Sequence, residues 1–157
     1  MASAVRIELP RAADTRALGT RLTPVLRAGD LVVLDGPLGA GKTVLVQGIG
    51  AGLGVQGSVV SPTFVIARVH RPLSGSTLPL VHVDAYRLRS LEEVDDLDLD
   101  VSVADAVTVV EWGSGKVEQL TDAHLEIRLE RADDDETRTA TLVPHGGDWA
   151  ARLAGMA

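Results

Sequence analysis

An eight-residue segment near the start of the chain has the residue types of a phosphate-binding loop. Residues 36–43 read Gly-Pro-Leu-Gly-Ala-Gly-Lys-Thr and match the pattern G-x-x-x-x-G-K-[ST] at every fixed position. Glycines let consecutive backbone N–H groups curl around phosphate oxygens where a Cβ would collide, and the N-terminus of a following helix attracts the same anion. The pattern predicts that Lys42, facing solvent in the loop, reaches the β- and γ-phosphates and that the Thr43 hydroxyl takes a coordination place on Mg²⁺. The candidate nucleotide-binding residues of the loop are Gly36, Leu38, Gly39, Ala40, Gly41, Lys42, Thr43 and Val44.

Two hydrophobic segments each end in an acidic residue. Residues 80–83 lead into Asp84, and residues 107–110 lead into Glu111. Ligands bind at the carboxyl ends of strands in open α/β sheets, and a phosphate-binding loop needs an acidic partner for its metal. We therefore expect both carboxylates at the site, one on Mg²⁺ directly or through water and the other positioning the attacking water. Thr43, Asp84 and Glu111 are the candidate metal ligands, and Lys42, Asp84 and Glu111 are the candidate catalytic residues.

Two other groups of polar residues call for separate interpretations. His82 precedes Asp84 by two residues, so both belong on one face of a strand, where either a half-buried structural histidine or a catalytic one fits. The alternating aspartates from Asp96 to Asp100 begin like a calcium loop, but Val101 stands where that loop needs glycine. A solvated acidic face or a partner-docking surface fits these aspartates better than a calcium site.

The type of nucleotide follows from missing elements. The chain contains no asparagine, and neither of its two lysines follows Asn or Thr, so the guanine-reading N/T-K-x-D element of common GTPases is absent from the sequence. The arginine-rich segment expected of a small nucleoside kinase is also missing. ATP is therefore the expected nucleotide.

Strands and helices alternate along the first half of the chain. Residues 5–9 alternate like a strand, apolar residues recur at helical spacing over 18–26, and residues 31–34 form an apolar run typical of a strand buried on both faces. A helix is predicted over 44–53, although its glycines at 48, 50 and 52 each lower helix propensity by about 1 kcal/mol. Close packing of this helix against the sheet is expected to compensate.

The second half adds more strands and a terminal hairpin. Residues 64–70, 78–84 and 107–110 are β-rich, and Ser90 with Glu93 has the spacing that opens a short acidic helix. Apolar residues at 125, 127 and 129 alternate with charged ones before a turn into 139–143, which predicts an antiparallel hairpin with one face in water. A closing helical turn is predicted over 149–153. The expected fold is α/β, a single P-loop NTPase-like domain over residues 1–157, with a mixed, mainly parallel central sheet flanked by helices and a C-terminal antiparallel hairpin.

Composition limits the classes of partner. The 157 residues are 45% hydrophobic, contain no cysteine and carry a net charge of −7. Residues 1–91 hold 10 basic and 5 acidic side chains, a balance of +5, whereas residues 92–157 hold 5 and 17, a balance of −12. An acidic second half argues against wrapping a phosphate backbone, so any RNA involved is expected to be held by another protein. The absence of cysteine and of a long apolar stretch predicts a cytoplasmic protein that does not enter a membrane.

Four sequence blocks, in this order, resemble the TsaE (YjeE) family. They are Gly36 to Thr43, Ser61-Pro62-Thr63-Phe64, the segment His82-Val83-Asp84-Ala85-Tyr86-Arg87-Leu88, and Glu111-Trp112. The resemblance implies an ATPase of bacterial tRNA threonylcarbamoyladenosine (t6A) biosynthesis that binds ATP or ADP with Mg²⁺. Such a protein acts with TsaB and TsaD, which transfer the threonylcarbamoyl group and hold the tRNA. The resemblance further implies that the ATPase activity of the isolated protein is weak and that ATP hydrolysis resets the assembly between turnovers.

The resemblance also implies roles for individual residues. Thr63 would lie in a switch-like segment near the metal, Trp112 would lie beside the nucleotide, and Asp84 and Glu111 match the family's acidic positions. Two alternatives use the same loop: a small P-loop metabolite kinase, and a nucleotide-gated binding module in which hydrolysis is incidental.

Overall fold

The computed structural model describes residues 4–37, 41–55, 67–72, 78–84, 103–111, 123–131, 137–154 and 156. The strands in these ranges are β1 (Val5–Leu9), β2 (Leu31–Asp35), β3 (Ala67–His70), β4 (Leu80–Asp84), β5 (Val107–Glu111), β6 (His124–Arg131) and β7 (Arg138–His145). The α-helices are α1 (Ala12–Leu22), α2 (Lys42–Leu53) and α3 (Trp149–Leu153), with short 3-10 turns at Thr23–Val25 and Val103–Asp105. The acidic helix predicted after Ser90 lies outside the described residues.

All of these strands belong to one sheet, in the order β1-β7-β6-β2-β5-β4-β3. The four central strands, β6, β2, β5 and β4, run parallel to one another. At the edges, β3 is antiparallel to β4, β7 is antiparallel to β6, and β1 is antiparallel to β7. Because the central strands are parallel, their carboxyl ends meet at one edge of the sheet. The mixed α/β fold with its terminal hairpin is confirmed.

Strands β2 and β5 form the middle of the core. Their sequences, LVVLD and VTVVE, are buried along almost their whole length. Such near-continuous apolar runs are typical of parallel strands covered on both faces, and β-branched valines pack well on a pleated surface. The burial fixes these strands firmly, so the residues at their carboxyl ends have a rigid support.

Helices α1 and α2 are in backbone contact, and this corrects the expected role of the α2 glycines. A Cβ at Gly48 would collide with the backbone carbonyl oxygen of Arg16 in α1, and one at Gly52 would meet the side chain of Thr23. A Cβ at Gly19 of α1 would collide with the carbonyl oxygen of Leu45. Gly48 and Gly52 therefore compensate for their low helix propensity by close approach to α1 and the turn after it, and not to the sheet.

The hairpin of β6 and β7 is confirmed, but its polar face is not simply wet. Glu126 pairs in register with Val143, and both it and His124 are buried. Glu126 can be buried because Arg128 and His145 from the same face donate hydrogen bonds to its carboxylate. Water reaches this face at Arg128 and at His145, whose side chains are 53% and 36% exposed.

The predicted closing turn, α3, is confirmed, and it anchors the end of the chain. Trp149 and Leu153 are buried in the core, and the Arg152 guanidinium lies 4.2 Å from the centroid of the Trp149 ring. Arg152 also donates to Asp30, just before β2, over 2.6 Å. Within the ranges the structure describes, no helix is long and apolar enough to cross a membrane.

Candidate functional site

The glycine loop connects β2 to α2 at the carboxyl edge of the central strands. β2 ends at Asp35, and α2 begins at Lys42, two residues earlier than the sequence predicted. Gly41 caps the helix with a φ of 101°, a left-handed conformation that a residue with a Cβ rarely adopts. The requirement for glycine at this position is therefore conformational. Leu38, Gly39 and Ala40 lie outside the described residues.

Lys42 lies in the first turn of α2 and is buried, contrary to the expectation that it faces solvent. The residue is 6% exposed, and its Nζ donates a hydrogen bond of 2.8 Å to the carbonyl oxygen of Gly36. This hydrogen bond holds the side chain back against the start of the loop, away from solvent. The ammonium group therefore carries its positive charge to the edge where β2 ends. Thr43 and Val44, next in the helix, are half-buried.

The two predicted acids end neighbouring strands. Asp84 is the last residue of β4 and Glu111 the last residue of β5, and they are register partners across this parallel pair. Leu34 of β2 is in turn the register partner of Glu111. Since neighbouring strands lie about 4.8 Å apart, both acidic positions stand within two strand spacings of the strand that leads into the glycine loop. The structure brings together these strand ends, as the sequence predicts, while the chemical roles of the two acids stay a prediction.

Glu111 is held by a buried histidine from the neighbouring strand. His82 Nε2 lies 2.7 Å from Glu111 Oε2, and the two side chains are 0% and 7% exposed. The i, i+2 spacing of His82 and Asp84 predicted that they share a strand face, but it did not decide between a structural and a catalytic role for His82. The hydrogen bond connects His82 to Glu111, a contact that spacing within β4 could not reveal.

Thr15 is a neighbour of the loop that the sequence did not single out. It is buried in α1, and its Cγ2 methyl would be 3.6 Å from a Cβ built on Gly41. Among the described residues its hydroxyl has no hydrogen-bond partner. Nothing in the local pattern of α1 distinguishes this threonine, because its position depends on the long-range packing of α1 against α2. Thr63 and Trp112, implied by the family resemblance, lie outside the described residues.

The described side chains at this edge offer oxygen ligands and the ammonium group of Lys42, but they do not form a complete metal cage. Within the described ranges, no group of three or more His, Asp or Glu side chains is placed to hold a metal. Mg²⁺ is ordinarily bound by one or two protein oxygens together with water and substrate phosphates. The Thr43 hydroxyl and a strand-end carboxylate supply oxygens of the kind that Mg²⁺ prefers.

A seven-stranded sheet with parallel central strands, a glycine-containing connection from β2 to α2 and acidic residues at the ends of β4 and β5 define a mixed α/β domain. The sequence model described as "Threonylcarbamoyl adenosine biosynthesis protein TsaE" matches residues 9–140. That range covers most of the chain, so the chain belongs to the TsaE family.

Curated relatives and a solved structure agree with this assignment. A protein of Streptomyces coelicolor named "tRNA threonylcarbamoyladenosine biosynthesis protein TsaE" is 60% identical over 139 residues, covering 86% of this chain and 93% of the relative. A protein of the same name from Mycobacterium tuberculosis is 55% identical, covering 85% and 83%. The crystal structure of YdiB from Bacillus subtilis superposes with a TM-score of 0.78 at 30% identity, over 99% of this chain and 95% of that one.

Proposed function

We propose that this protein is an ATPase that binds and hydrolyses ATP with Mg²⁺ and sustains t6A modification of tRNA together with TsaB and TsaD. The observation that carries the proposal is the proximity of two features at one sheet edge. The buried ammonium group of Lys42 is hydrogen-bonded to Gly36 just after β2, and Glu111 ends the strand next to β2. The names of the curated relatives support a role in t6A biosynthesis.

The residues of this edge fit a triphosphate and its metal. Lys42 provides a buried cation, which phosphate oxygens complement, and α2 directs its N-terminus to the same place. Thr43 with Glu111 or Asp84 would hold Mg²⁺, which neutralises phosphate charge when bound. The loop glycine Gly41 leaves room for backbone N–H groups to approach the phosphates.

Hydrolysis at such a site needs little covalent chemistry from the protein. The oxygen of a water molecule attacks the γ-phosphorus and the bond to the β–γ bridging oxygen breaks. The proton that the water loses passes to a strand-end carboxylate or to the phosphate product, and ADP and phosphate leave. Lys42 stabilises the charge on the transferred group, and whichever of Asp84 and Glu111 is not at the metal orients the water.

The charge of the chain supports an indirect relation to tRNA. The net charge is −7, and the acidic excess lies in residues 92–157. A surface of this sign repels a phosphate backbone, so TsaB and TsaD would hold the tRNA while this protein docks beside them in the cytoplasm. Hydrolysis by the isolated chain is expected to be slow and to rise when both partners are added.

A Lys42→Met variant tests the proposal. Methionine keeps the apolar stem that Lys42 buries but removes its charge, so the fold should persist while ATP and ADP bind at least about tenfold more weakly. Calorimetric titration with ADP and Mg²⁺ measures the affinity, and circular dichroism checks the fold. Unchanged ADP affinity in a folded Lys42→Met variant would contradict the site.

Release of phosphate from labelled ATP, with TsaB and TsaD titrated in, tests the activity and the partners. Stimulated release of label to water is the expected result. Transfer of the label to a metabolite would instead identify a kinase, and hydrolysis that the partners leave unchanged would contradict the proposed assembly.

A further inference from the structure

We propose that His82 is a positioning residue that fixes the carboxylate of Glu111 for ATP hydrolysis. The inference rests on the proposed function, because it gives His82 a role only through Glu111. Its basis is the 2.7 Å contact between His82 Nε2 and Glu111 Oε2, which joins two side chains that are 0% and 7% exposed.

The two strands leave the contact little freedom. His82 is the register partner of Val109, and Glu111 lies two residues further along β5, so the hydrogen bond runs diagonally across a parallel pair. Both strands are internal to the sheet, and Val109 is fully buried. A side chain that is closely packed on a rigid strand cannot turn without disturbing its neighbours. The imidazole therefore has a fixed direction relative to the end of β5.

The hydrogen-bond chemistry assigns the proton. A carboxylate oxygen only accepts, so Nε2 carries the hydrogen and donates it to Glu111 Oε2. This occupies one oxygen of the carboxylate and holds the plane of the group, which leaves Oε1 to face a metal ion or a water molecule. A charge-assisted hydrogen bond away from water is stronger than one at the surface.

The other ring nitrogen argues against a role in packing alone. Among the described residues, His82 Nδ1 has no hydrogen-bond partner although it is buried. Leu80, on the same face of β4 as His82, and Val109, the register partner of His82, are fully buried apolar residues. An apolar side chain at position 82 would avoid the cost of an unsatisfied buried nitrogen. The hydrogen bond to Glu111 is the interaction at this position that an apolar side chain could not make.

Three substitutions separate positioning from packing. In His82→Gln the amide nitrogen can reach the place of Nε2, in His82→Asn it lies near the place of Nδ1, and His82→Leu has no donor. We expect His82→Leu and His82→Asn to lower kcat for ATP hydrolysis in the presence of TsaB and TsaD by about 10- to 100-fold. We expect His82→Gln to stay within about threefold of the wild type, and KM for ATP to stay within about twofold in all three. If His82→Leu does not fold, the Gln and Asn pair carries the comparison.

A double-mutant cycle with Glu111→Gln tests the route of the effect. If His82 acts through Glu111, His82→Leu changes the residual rate of the Glu111→Gln protein by less than about twofold. The positioning role would be overturned if the two substitutions lowered kcat independently, so that their effects multiplied. It would also be overturned by equal kcat values for His82→Gln and His82→Asn. In both cases hydrolysis by the wild-type protein would still support the proposed function. A wild-type chain that does not hydrolyse ATP with its partners present would overturn both.

Discussion

Two buried glutamates flank β2 on opposite sides, and their surroundings differ. Glu111 ends β5 and is the register partner of Leu34, whereas Glu126 lies in β6 and is the register partner of Val33. Both residues are almost fully buried, at 5% and 2% exposure. Each accepts a hydrogen bond from a histidine Nε2, over 2.7 Å for Glu111 and 2.8 Å for Glu126. Because Val33 and Leu34 are consecutive in a strand, the two carboxylates belong to opposite faces of the sheet.

The two glutamates differ in how many hydrogen bonds compensate the negative charge of the carboxylate. Both oxygens of Glu126 accept from the Arg128 guanidinium, over 2.7 and 3.3 Å, and His145 adds a third bond. Within the described ranges, the hydrogen bond from His82 is the one that Glu111 accepts. A carboxylate with all its partners in place stabilises the fold, whereas one with an oxygen to spare at a strand end can serve a metal or a water molecule.

The pKa of Glu126 records this compensation. Burial raises the pKa by opposing ionisation, but the hydrogen bonds and charges of Arg128 and His145 outweigh burial, so the pKa of Glu126 lies below its ordinary value of 4.5. Glu126 is therefore the structural member of the pair, and the proposed function gives Glu111 the chemical role.

The largest expected effect is on catalysis, from Glu111→Gln. The amide keeps the shape and can still accept from His82, but it cannot bind Mg²⁺ as a carboxylate does or take up a proton. We expect ATP hydrolysis to fall at least about 100-fold with the fold intact, measured as phosphate release in the presence of TsaB and TsaD. Glu126→Gln is the matched control and should hydrolyse ATP within about twofold of the wild type. Equal rates for the two variants would remove the proposed distinction between the glutamates.

A second test asks whether paired charges in the carboxyl-terminal part of the chain stabilise the fold. The Arg152 guanidinium donates to Asp30 over 2.6 Å and to the Val25 carbonyl over 3.1 Å, and the side chains of Arg152 and Asp30 are 12% and 8% exposed. In Arg152→Met, Asp30 loses the partner of a buried charge, so the free energy of unfolding should fall by about 3 kcal/mol. Urea denaturation measures this value.

The control for Arg152→Met is Arg16→Met, at an exposed position of α1. Exposed substitutions usually change stability by less than about 0.5 kcal/mol. Because Arg152 is remote in sequence from the glycine loop and its partners lie before β2, ADP affinity should stay within about twofold in both variants. A loss of stability no larger than that of Arg16→Met would contradict the structural role of the Arg152–Asp30 pair.

Much of this architecture follows from local sequence patterns. The hairpin was predictable because apolar residues alternate over 125–129, and the edge where β2, β4 and β5 end was predictable because each buried run leads into a glycine or an acid. Patterns with a period of 2 or 3.6 identify which residues share a face, and parallel strands bring their carboxyl ends together.

The features that sequence patterns missed all depend on contacts between distant segments. The collision of a Cβ at Gly48 with Arg16 and the bond from His82 to Glu111 each depend on how separate elements pack. Glu126 was expected to face water because charged residues alternate along β6. Its burial depends on hydrogen bonds from Arg128, two residues along β6, and from His145, which the register of β7 brings to the same face.

The smallest expected effect concerns the stability that Glu126 contributes and its dependence on pH. Because the folded pKa of Glu126 is lowered, the ionised group stabilises the folded state above its ordinary pKa of 4.5, and this stability is lost as pH falls through the folded pKa. Glu126→Gln removes the negative charge that Arg128, whose side chain is half-exposed, binds. We therefore expect the substitution to lower the free energy of unfolding by about 1 to 2 kcal/mol near neutral pH.

The difference in unfolding free energy between wild type and Glu126→Gln reports the charge of Glu126 together with its bonds to Arg128 and His145. Asp148 also has a lowered pKa, because hydrogen bonds from Arg27 and Arg152 outweigh the opposing effect of burial, but it is present in both proteins and cancels in the difference. Urea titrations from about pH 6 to about pH 3 should show the difference shrinking steadily as the medium becomes more acidic. A difference that stays constant over this range would mean that Glu126 stabilises the sheet by its shape and not by its charge. The contrast between the two glutamates would then rest on Glu111 alone.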